Sequence, residues 1–228
     1  MKLSVIIPAL DEAAGIGGTL RALQPLRAAR HEVIVVDGGS RDGTPEAARP
    51  LADRVLAAPR GRADQMNAGA DAAAGDVLLF LHADTRLPAG ADRTVLDGLA
   101  ASGASWGRFD VRIDGRSPLL ALIAWLMNRR SRLTGIATGD QAMFVTRAAF
   151  AAVGGFPALA LMEDVALSKR LKRFSAPLCL RERAVTSGRR WESHGVLRTI
   201  VLMWWVRLRY FFGTSPERLA EIYRHHPR

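Results

Sequence analysis

The stretch "DVLLFLHADTRLP", residues 76–88, decides how the chain folds. Five consecutive apolar residues, Val77 to Leu81, are too continuous for a strand with one wet face, so they predict a strand of a parallel sheet covered on both sides. The run then stops, and His82 and Asp84 follow it two residues apart. Alternate residues of an extended chain point to the same side. An imidazole and a carboxylate therefore share one side of the strand's carboxyl end, where open α/β sheets bind their ligands.

Working outward, strand and helix signals alternate. "LSVIIPAL" (3–10) and "EVIVVDGG" (32–39) are short β-branched runs closed by turn residues. Between them, Leu20, Leu23 and Leu26 lie at helical spacing in "GGTLRALQPLRAA", interrupted by Pro25. "TPEAARPLADRV" (44–55) predicts a helix with Thr44 as N-cap and Pro45 at the first position. "ADQMNAGADAAAG" (63–75) predicts another, closed by Gly75. Strand–helix–strand repetition implies right-handed crossovers and an α/β fold with a doubly wound, mostly parallel sheet. No repeat or low-complexity linker divides the chain.

Composition narrows the function classes. Of 228 residues, 49% are hydrophobic and 24% charged, which places the chain among folded globular proteins. A single cysteine, Cys179, rules out an intrachain disulfide and a Cys-rich zinc site. The N-terminus reads as a first strand, not a signal peptide. The net charge of +10 is uneven. Residues 1–164 carry 18 basic and 18 acidic side chains, and residues 165–228 carry 14 and 4, so the whole excess lies at the carboxyl end. Such a tail calls for an anionic partner.

Three strand ends carry acids: "IIPALDE", "IVVDGGSRDGT" and "LFLHADT". Asp37 and Asp42 also suit turns that bond their own backbone. No G-x-G-x-x-G follows the first strand and no P-loop occurs, which argues against a dinucleotide site and a nucleotide-triphosphatase.

Together these residues resemble the family-2 glycosyltransferases of the GT-A fold. "SVIIPALDE" is similar to the family's first strand, which approaches the nucleobase, and "VIVVDGGSRDGT" to its second, whose Asp lies near base and ribose. "RGRADQMNAGADAAAGDVLLFLHADT" resembles the stretch leading into its D-x-D motif, and "GGFPALALMEDVALSKRLKR" the segment with its catalytic E-D pair. The likeness spans roughly residues 3–173 in the right order. "HADT" and the later "TSGRRW" look most like a small bacterial subgroup.

The resemblance implies inverting transfer of a sugar from a nucleotide-diphosphate sugar, UDP first, to a hydroxyl or phosphate acceptor that could be lipid-linked. Asp164 would be the base, with Glu163 beside it; the alternative for both acids is simple complementarity to a helix N-terminus. Asp84 would hold Mn²⁺ or Mg²⁺, with His194 completing the shell. His82 replaces the motif's first acid, a position that mainly addresses the ribose. Pro8, Ala9, Leu10, Glu12, Asp37, Gly38, Arg62, Ala83, Asp140, Arg189 and Arg190 complete the implied donor site. Gln65, Asn67 and Gln141 lie in the same stretches.

The implied GT-A domain covers 1–190, and 191–228 forms a basic amphipathic helical extension packed on or beside it. "SPLLALIAWLMN" (117–128) and "VLRTIVLMWWVRLRYFF" (196–212) fall short of the ~18 apolar residues that span a bilayer. Trp and Tyr beside arginines suit an interfacial helix, whereas core packing or an oligomer contact is the plainer reading. The expectation is a cytoplasmic protein held on the inner face of the membrane, with a homodimer left open. The rivals are a nucleotidyltransferase, whose basic loop "PALDEAAGIGG" lacks, and a nucleic-acid-binding module, which leaves the acidic strand ends without a purpose; no nucleic acid is expected.

Overall fold

The computed structural model describes residues 1–225, apart from the side chains of Arg190, His194 and residues 223–225. Strand β1 (Leu3–Ala9) is followed by helices α1 (Ala13–Ala22) and α2 (Gln24–Ala28), β2 (Glu32–Asp37), α3 (Thr44–Ala48) and β3 (Arg54–Ala57). Next come α4 (Arg62–Ala72), β4 (Val77–Phe80), the two-residue β5 (Thr85–Arg86), α5 (Ala91–Ser102), β6 (Trp106–Asp114) and α6 (Leu119–Thr134). After a short 3₁₀ turn at Gly139–Gln141 follow β7 (Phe144–Thr146), α7 (Arg147–Ala152), α8 (Glu163–Leu171) and β8 (Leu178–Ser187). The chain ends in α9 (Arg189–His194), α10 (Val196–Phe211) and α11 (Pro216–His225).

The strands form one sheet in the order β3-β2-β1-β4-β7-β6-β8-β5. The first four strands run parallel to one another, as the continuous apolar runs require, while β7 lies antiparallel between β4 and β6. Alternation along the strands sorts the core into two layers. Val5, Ile7, Val33, Val35 and Leu79 face Ile16, Leu20, Val95 and Leu99 of α1 and α5. Ile6, Ile34, Val36, Leu78 and Phe80 face Met66, Phe150, Leu167 and Leu171 of α4, α7 and α8. The sheet is thus covered on both faces, and the GT-A architecture implied by the sequence is present.

One local expectation fails. The helix expected over 44–55 stops at Ala48, because Pro50 has no N–H to continue the ladder, and Arg54–Ala57 becomes an edge strand. Gly43, at φ +85°, precedes the helix; Thr44 instead accepts the Glu12 N–H and donates to Asp42. Strand β7 is short, Phe144–Thr146, because the 3₁₀ turn takes up the residues before it.

The last helices are joined to the rest by apolar packing. Val206 of α10 and Leu219 of α11 are buried with Met162 and Val165 at the start of α8. Val196 and Ile200 rest on Ile123, Ala124 and Met127 of α6. Among the described residues, no helix is long and apolar enough to cross a membrane.

Candidate active site

A cleft of about 490 Å³ opens beyond the carboxyl ends of β1 and β4. Pro8, Ala9, Leu10 and Glu12 form one wall and His82, Ala83 and Asp84 the floor. Arg62 enters from the start of α4, Glu163 and Asp164 from the start of α8, Asp140 from the 3₁₀ turn and Arg189 from the start of α9. Residues scattered over 180 positions therefore converge at the place where the strand ends predicted a ligand. Thr199, Met203, Val206 and Arg207 of α10 close the far side.

Asp84 is half-buried on the cleft floor. His82, beside it on the floor, is held by the turn that carries Asp140. Its Nδ1 lies 3.1 Å from an Asp140 carboxylate oxygen, and its Nε2 edge packs on Gly139, where an added Cβ would come within 2.3 Å. Gly139 is glycine because the imidazole fills the space of a side chain. Burial pushes the Asp140 carboxyl up, but the His82 hydrogen bond and the charges of His82, Arg62 and Arg207 together hold it below the ordinary value.

The two acids of α8 differ in setting. Glu163 is buried, with 4% of its surface exposed, and its nearest cation is Arg62 at 3.8 Å. Burial first and the neighbouring Asp164 charge second push its carboxyl up, against the pull of Arg62 and His82. Asp164 stays half-open on the cleft, one oxygen accepting the Gly139 N–H at 2.9 Å and the other the Val165 N–H at 2.7 Å. Two backbone donors thus fix the orientation of this carboxylate. Met162 holds a left-handed turn (φ +69°) just before the pair and aims it into the cleft.

Asp37 and Gly38 are not brought to the cleft lining. Asp37 is buried and accepts the Gly39 N–H, the Ser40 N–H and the Ser40 hydroxyl, so it organises its own turn. Asp42 accepts the N–H groups of Ala13 and Thr44, and Asp11 accepts that of Arg41. The acids after β2 therefore stitch its loop to the loop after β1, and of the three strand ends two face the cleft. Gln65 also has a scaffolding part. Its amide donates to the Ala9 and Val36 carbonyls at 2.8 Å each and ties the ends of β1 and β2. Asn67 makes a reciprocal pair with the Phe156 backbone and anchors the Gly-Gly-Phe-Pro turn. Gln141 is buried and caps its own turn through Thr138.

Arg189 donates to both oxygens of Glu12 at 3.0 Å, which bridges the carboxyl-terminal segment to the first strand's loop. Gly188 leaves room for the backbone beside it: a Cβ there would lie 2.3 Å from the Asp114 carbonyl oxygen. The side chains of Arg190 and His194, expected at the diphosphate and the metal, lie outside the described residues. Sequence reading missed Thr138, Thr186, Ser187, Trp191 and the α10 wall, for which no motif gives a signal.

A divalent cation can be tested against these residues. Among the described residues, no three His, Cys, Asp or Glu side chains gather to close a metal shell alone. The cleft offers Asp84 on an open floor. That fits an ion bound through one or two carboxylates plus substrate phosphates, the usual manner of Mg²⁺.

Comparison with solved structures supports the fold. S. aureus TarS 1-349 in complex with UDP superposes with a TM-score of 0.67 at 18% identity, covering 82% of this chain and 60% of that one. The mannosyltransferase PcManGT of Pyrobaculum calidifontis, in complex with GDP-Man and Mn²⁺, gives 0.66 at 22% identity over 97% of this chain and 67% of that one. Both likenesses are of fold. In sequence, a PGL/p-HBAD biosynthesis glycosyltransferase of Mycobacterium tuberculosis is 37% identical over 91 residues, 37% of this chain and 36% of the relative. Glycosyltransferase AglE of Haloferax volcanii is 35% identical over 91 residues, 36% and 30% of the two chains. The match spans about a third of these relatives' length. The family model for glycosyl transferase family 2 matches residues 4–152, most of the sheet and the whole approach to the cleft floor. The chain belongs to glycosyl transferase family 2.

Proposed function

We propose that the protein transfers a sugar, with inversion, from a nucleotide-diphosphate sugar to an acceptor hydroxyl, and that UDP is the donor's nucleotide. The observation that carries this reading is the convergence of Asp84, Arg62, Asp140 and the Glu163–Asp164 pair in one cleft at the strand ends.

The wall at Pro8 to Glu12 receives the nucleotide, and Asp84 would hold Mn²⁺ or Mg²⁺ beside it. Such an ion would supply charge neutralisation for the departing diphosphate. Arg62 contacts the nucleotide's phosphates or base, and Asp140 borders the sugar. Asp164 is the base: the acceptor oxygen bonds to the anomeric carbon, the carbon–oxygen bond to the diphosphate breaks with its electron pair, and Asp164 takes the hydroxyl proton. Attack from the side opposite the leaving group inverts the carbon. Glu163 and Arg62 fix the loop that carries the base. His82 braces Asp140 and Gly139, a positioning part.

The basic carboxyl-terminal helices are assigned to the inner face of the cytoplasmic membrane, with residues 191–228 as an extension of a domain over 1–190. Their charge excess and the exposed Trp204, Trp205, Phe211 and Phe212 support this part. The test is a melting screen with UDP-, GDP- and dTDP-sugars, each with and without Mn²⁺, because a ligand raises the melting temperature only by binding the folded chain. A rise with a UDP-sugar and Mn²⁺ is expected, and Asp84→Ala should abolish the metal-dependent part without changing the melting of the free protein. A variant responding like wild type removes Asp84 as ligand; no response to any nucleotide sugar overturns the reading.

A further inference from the structure

Three arginines, on β6, α6 and α10, have guanidinium nitrogens buried in the protein, and they differ in their partners. Arg108, fully buried, donates to Asp110, to the Ser131 hydroxyl and to the Asn128 carbonyl. This is how the chain satisfies a guanidinium in its interior. Arg130, near the end of α6, and Arg207, on α10, are not satisfied in this way. Arg130 Nε and Nη2 and Arg207 Nε are buried with no hydrogen-bond partner among the described residues. The two cations feel each other: burial first and then the charge of Arg207 lower Arg130 to about 10. Asp164 acts on Arg130 in the opposite sense, and α10, which carries Arg207, packs on both α6 and the start of α8. Arg207 itself lines the cleft and acts on Asp140. The donor end is different, since its arginine, Arg189, is already held by Glu12.

Buried polar groups without partners are costly, and two like charges side by side add to that cost. A phosphate between the two guanidiniums would answer both, because it matches their forked donors. The surroundings say what the phosphate is attached to. Arg130 and Arg207 stand on the two helices that bare apolar faces. Leu122, Trp125 and Leu126 of α6 are about half exposed, and Val201, Trp204, Leu208 and Phe211 of α10 more so. The helices touch through Ile200 and Val196. Arg129 sits 5.4 Å above Trp125 and Arg209 4.7 Å above Trp205, an amphipathic edge like that of interfacial helices.

We propose that the acceptor is an amphiphile with a phosphate-bearing head, the phosphate held between Arg130 and Arg207 and the hydrocarbon chain lying along the exposed faces of α6 and α10. This rests on the cleft being the site of glycosyl transfer, and it names the acceptor class of that site: a membrane lipid whose head carries a hydroxyl beside its phosphate. The transfer step is unchanged, with Asp164 taking the hydroxyl proton.

The test uses three probes on the full chain by titration calorimetry. Lauroyl lysophosphatidylglycerol has head, phosphate and chain; monolauroylglycerol has chain and hydroxyls without phosphate; glycerol 3-phosphate has the head without chain. The first should bind at least ten-fold more tightly than either of the others. Arg130→Met and Arg207→Met should each weaken it at least ten-fold, leave the UDP–Mn²⁺ melting shift at its wild-type size, and melt no lower than wild type when free. Equal affinity for monolauroylglycerol means the phosphate is not read, and equal affinity for glycerol 3-phosphate means a free-phosphate site; either overturns the proposal. Arg→Met variants that keep wild-type affinity overturn it too, and the probe comparison on wild type stands even where a variant fails to fold. Loss of the UDP–Mn²⁺ response in wild type would sink the donor reading alone, while the three probes still report on the acceptor.

Discussion

Glu163 and Asp164 are neighbours in the chain with opposite surroundings, and that contrast assigns their parts. Asp164 is open to the cleft and held by two backbone N–H groups. Asp164→Asn keeps its shape but cannot accept a proton, so turnover should fall by at least about 10²-fold with donor affinity little changed. Wild-type turnover in that variant would remove Asp164 from the step. Glu163 is closed off, and its carboxyl is pushed up by burial and then by Asp164. A raised value means the folded chain prefers the protonated form. Stability from that preference is present below the ordinary glutamate range and lost as pH rises through the elevated value. Glu163→Gln should therefore melt higher than wild type at pH 8, by about 1 kcal/mol or roughly 2–4 °C for a chain of this size. The gap should close near pH 4, and melting curves at the two pH values check it. The E-D pair and the acid after "LFLH" were legible because motif and strand end agreed. For Asp37 the sequence offered both a ligand and its own turn, and the fold shows the hydrogen bonds it makes to Gly39 and Ser40.

At the scale of elements, legibility followed burial. Strands β1, β2 and β4 are buried on both faces, and their continuous apolar runs announced them. The edge strand β3 offers only Val55 and Leu56 in a polar setting, too short a pattern to show period two, so the preceding helix signal absorbed it. Strands β6 and β8 mix apolar residues with arginines and gave no signal, although they are nine and ten residues long and pair with each other. Helix α4 was legible in extent, but the reason for its glycine was not. Gly69 packs on the sheet, where a Cβ would come 2.4 Å from Ile6 Cγ2 and 3.0 Å from Val36 Cγ2. This close approach sets the height of α4 over β1 and β2 and so the position of Arg62 and Gln65. Gly69→Ala would ordinarily favour a helix, by about 1 kcal/mol. Here overpacking should win and destabilise the chain by about 1–3 kcal/mol. Denaturant unfolding checks the sign; a stabilised variant would show that the helix can lift off the sheet without loss.

At the scale of the whole molecule, charge and hydrophobicity are both polarised toward one end. The first 164 residues are neutral overall, while the remaining 64 hold the entire excess of +10. On α10, Leu197, Val201, Trp204, Leu208 and Phe211 recur three or four residues apart, and each is more than half exposed. The opposite face, Val206 with Thr199, is buried against the rest of the chain. Core packing therefore accounts for one face of the helix and leaves the other bare. On a membrane that bare face would enter the headgroup boundary, and Arg198 and Arg209 would meet lipid phosphates, each nearby arginine adding about 1 kcal/mol on an anionic leaflet. Binding to vesicles should rise with the fraction of anionic lipid and weaken with salt, because exposed charges are screened beyond about 8 Å at physiological ionic strength. Trp204→Ser with Phe211→Ser should reduce binding to anionic vesicles severalfold while the melting temperature holds, since both side chains are mostly exposed. Co-sedimentation with anionic and neutral vesicles at two salt concentrations measures this. Wild-type protein that stays in the supernatant with both would detach the carboxyl-terminal end from any membrane part and leave its bare apolar face to a second copy of the chain, which sedimentation of the free protein would then reveal.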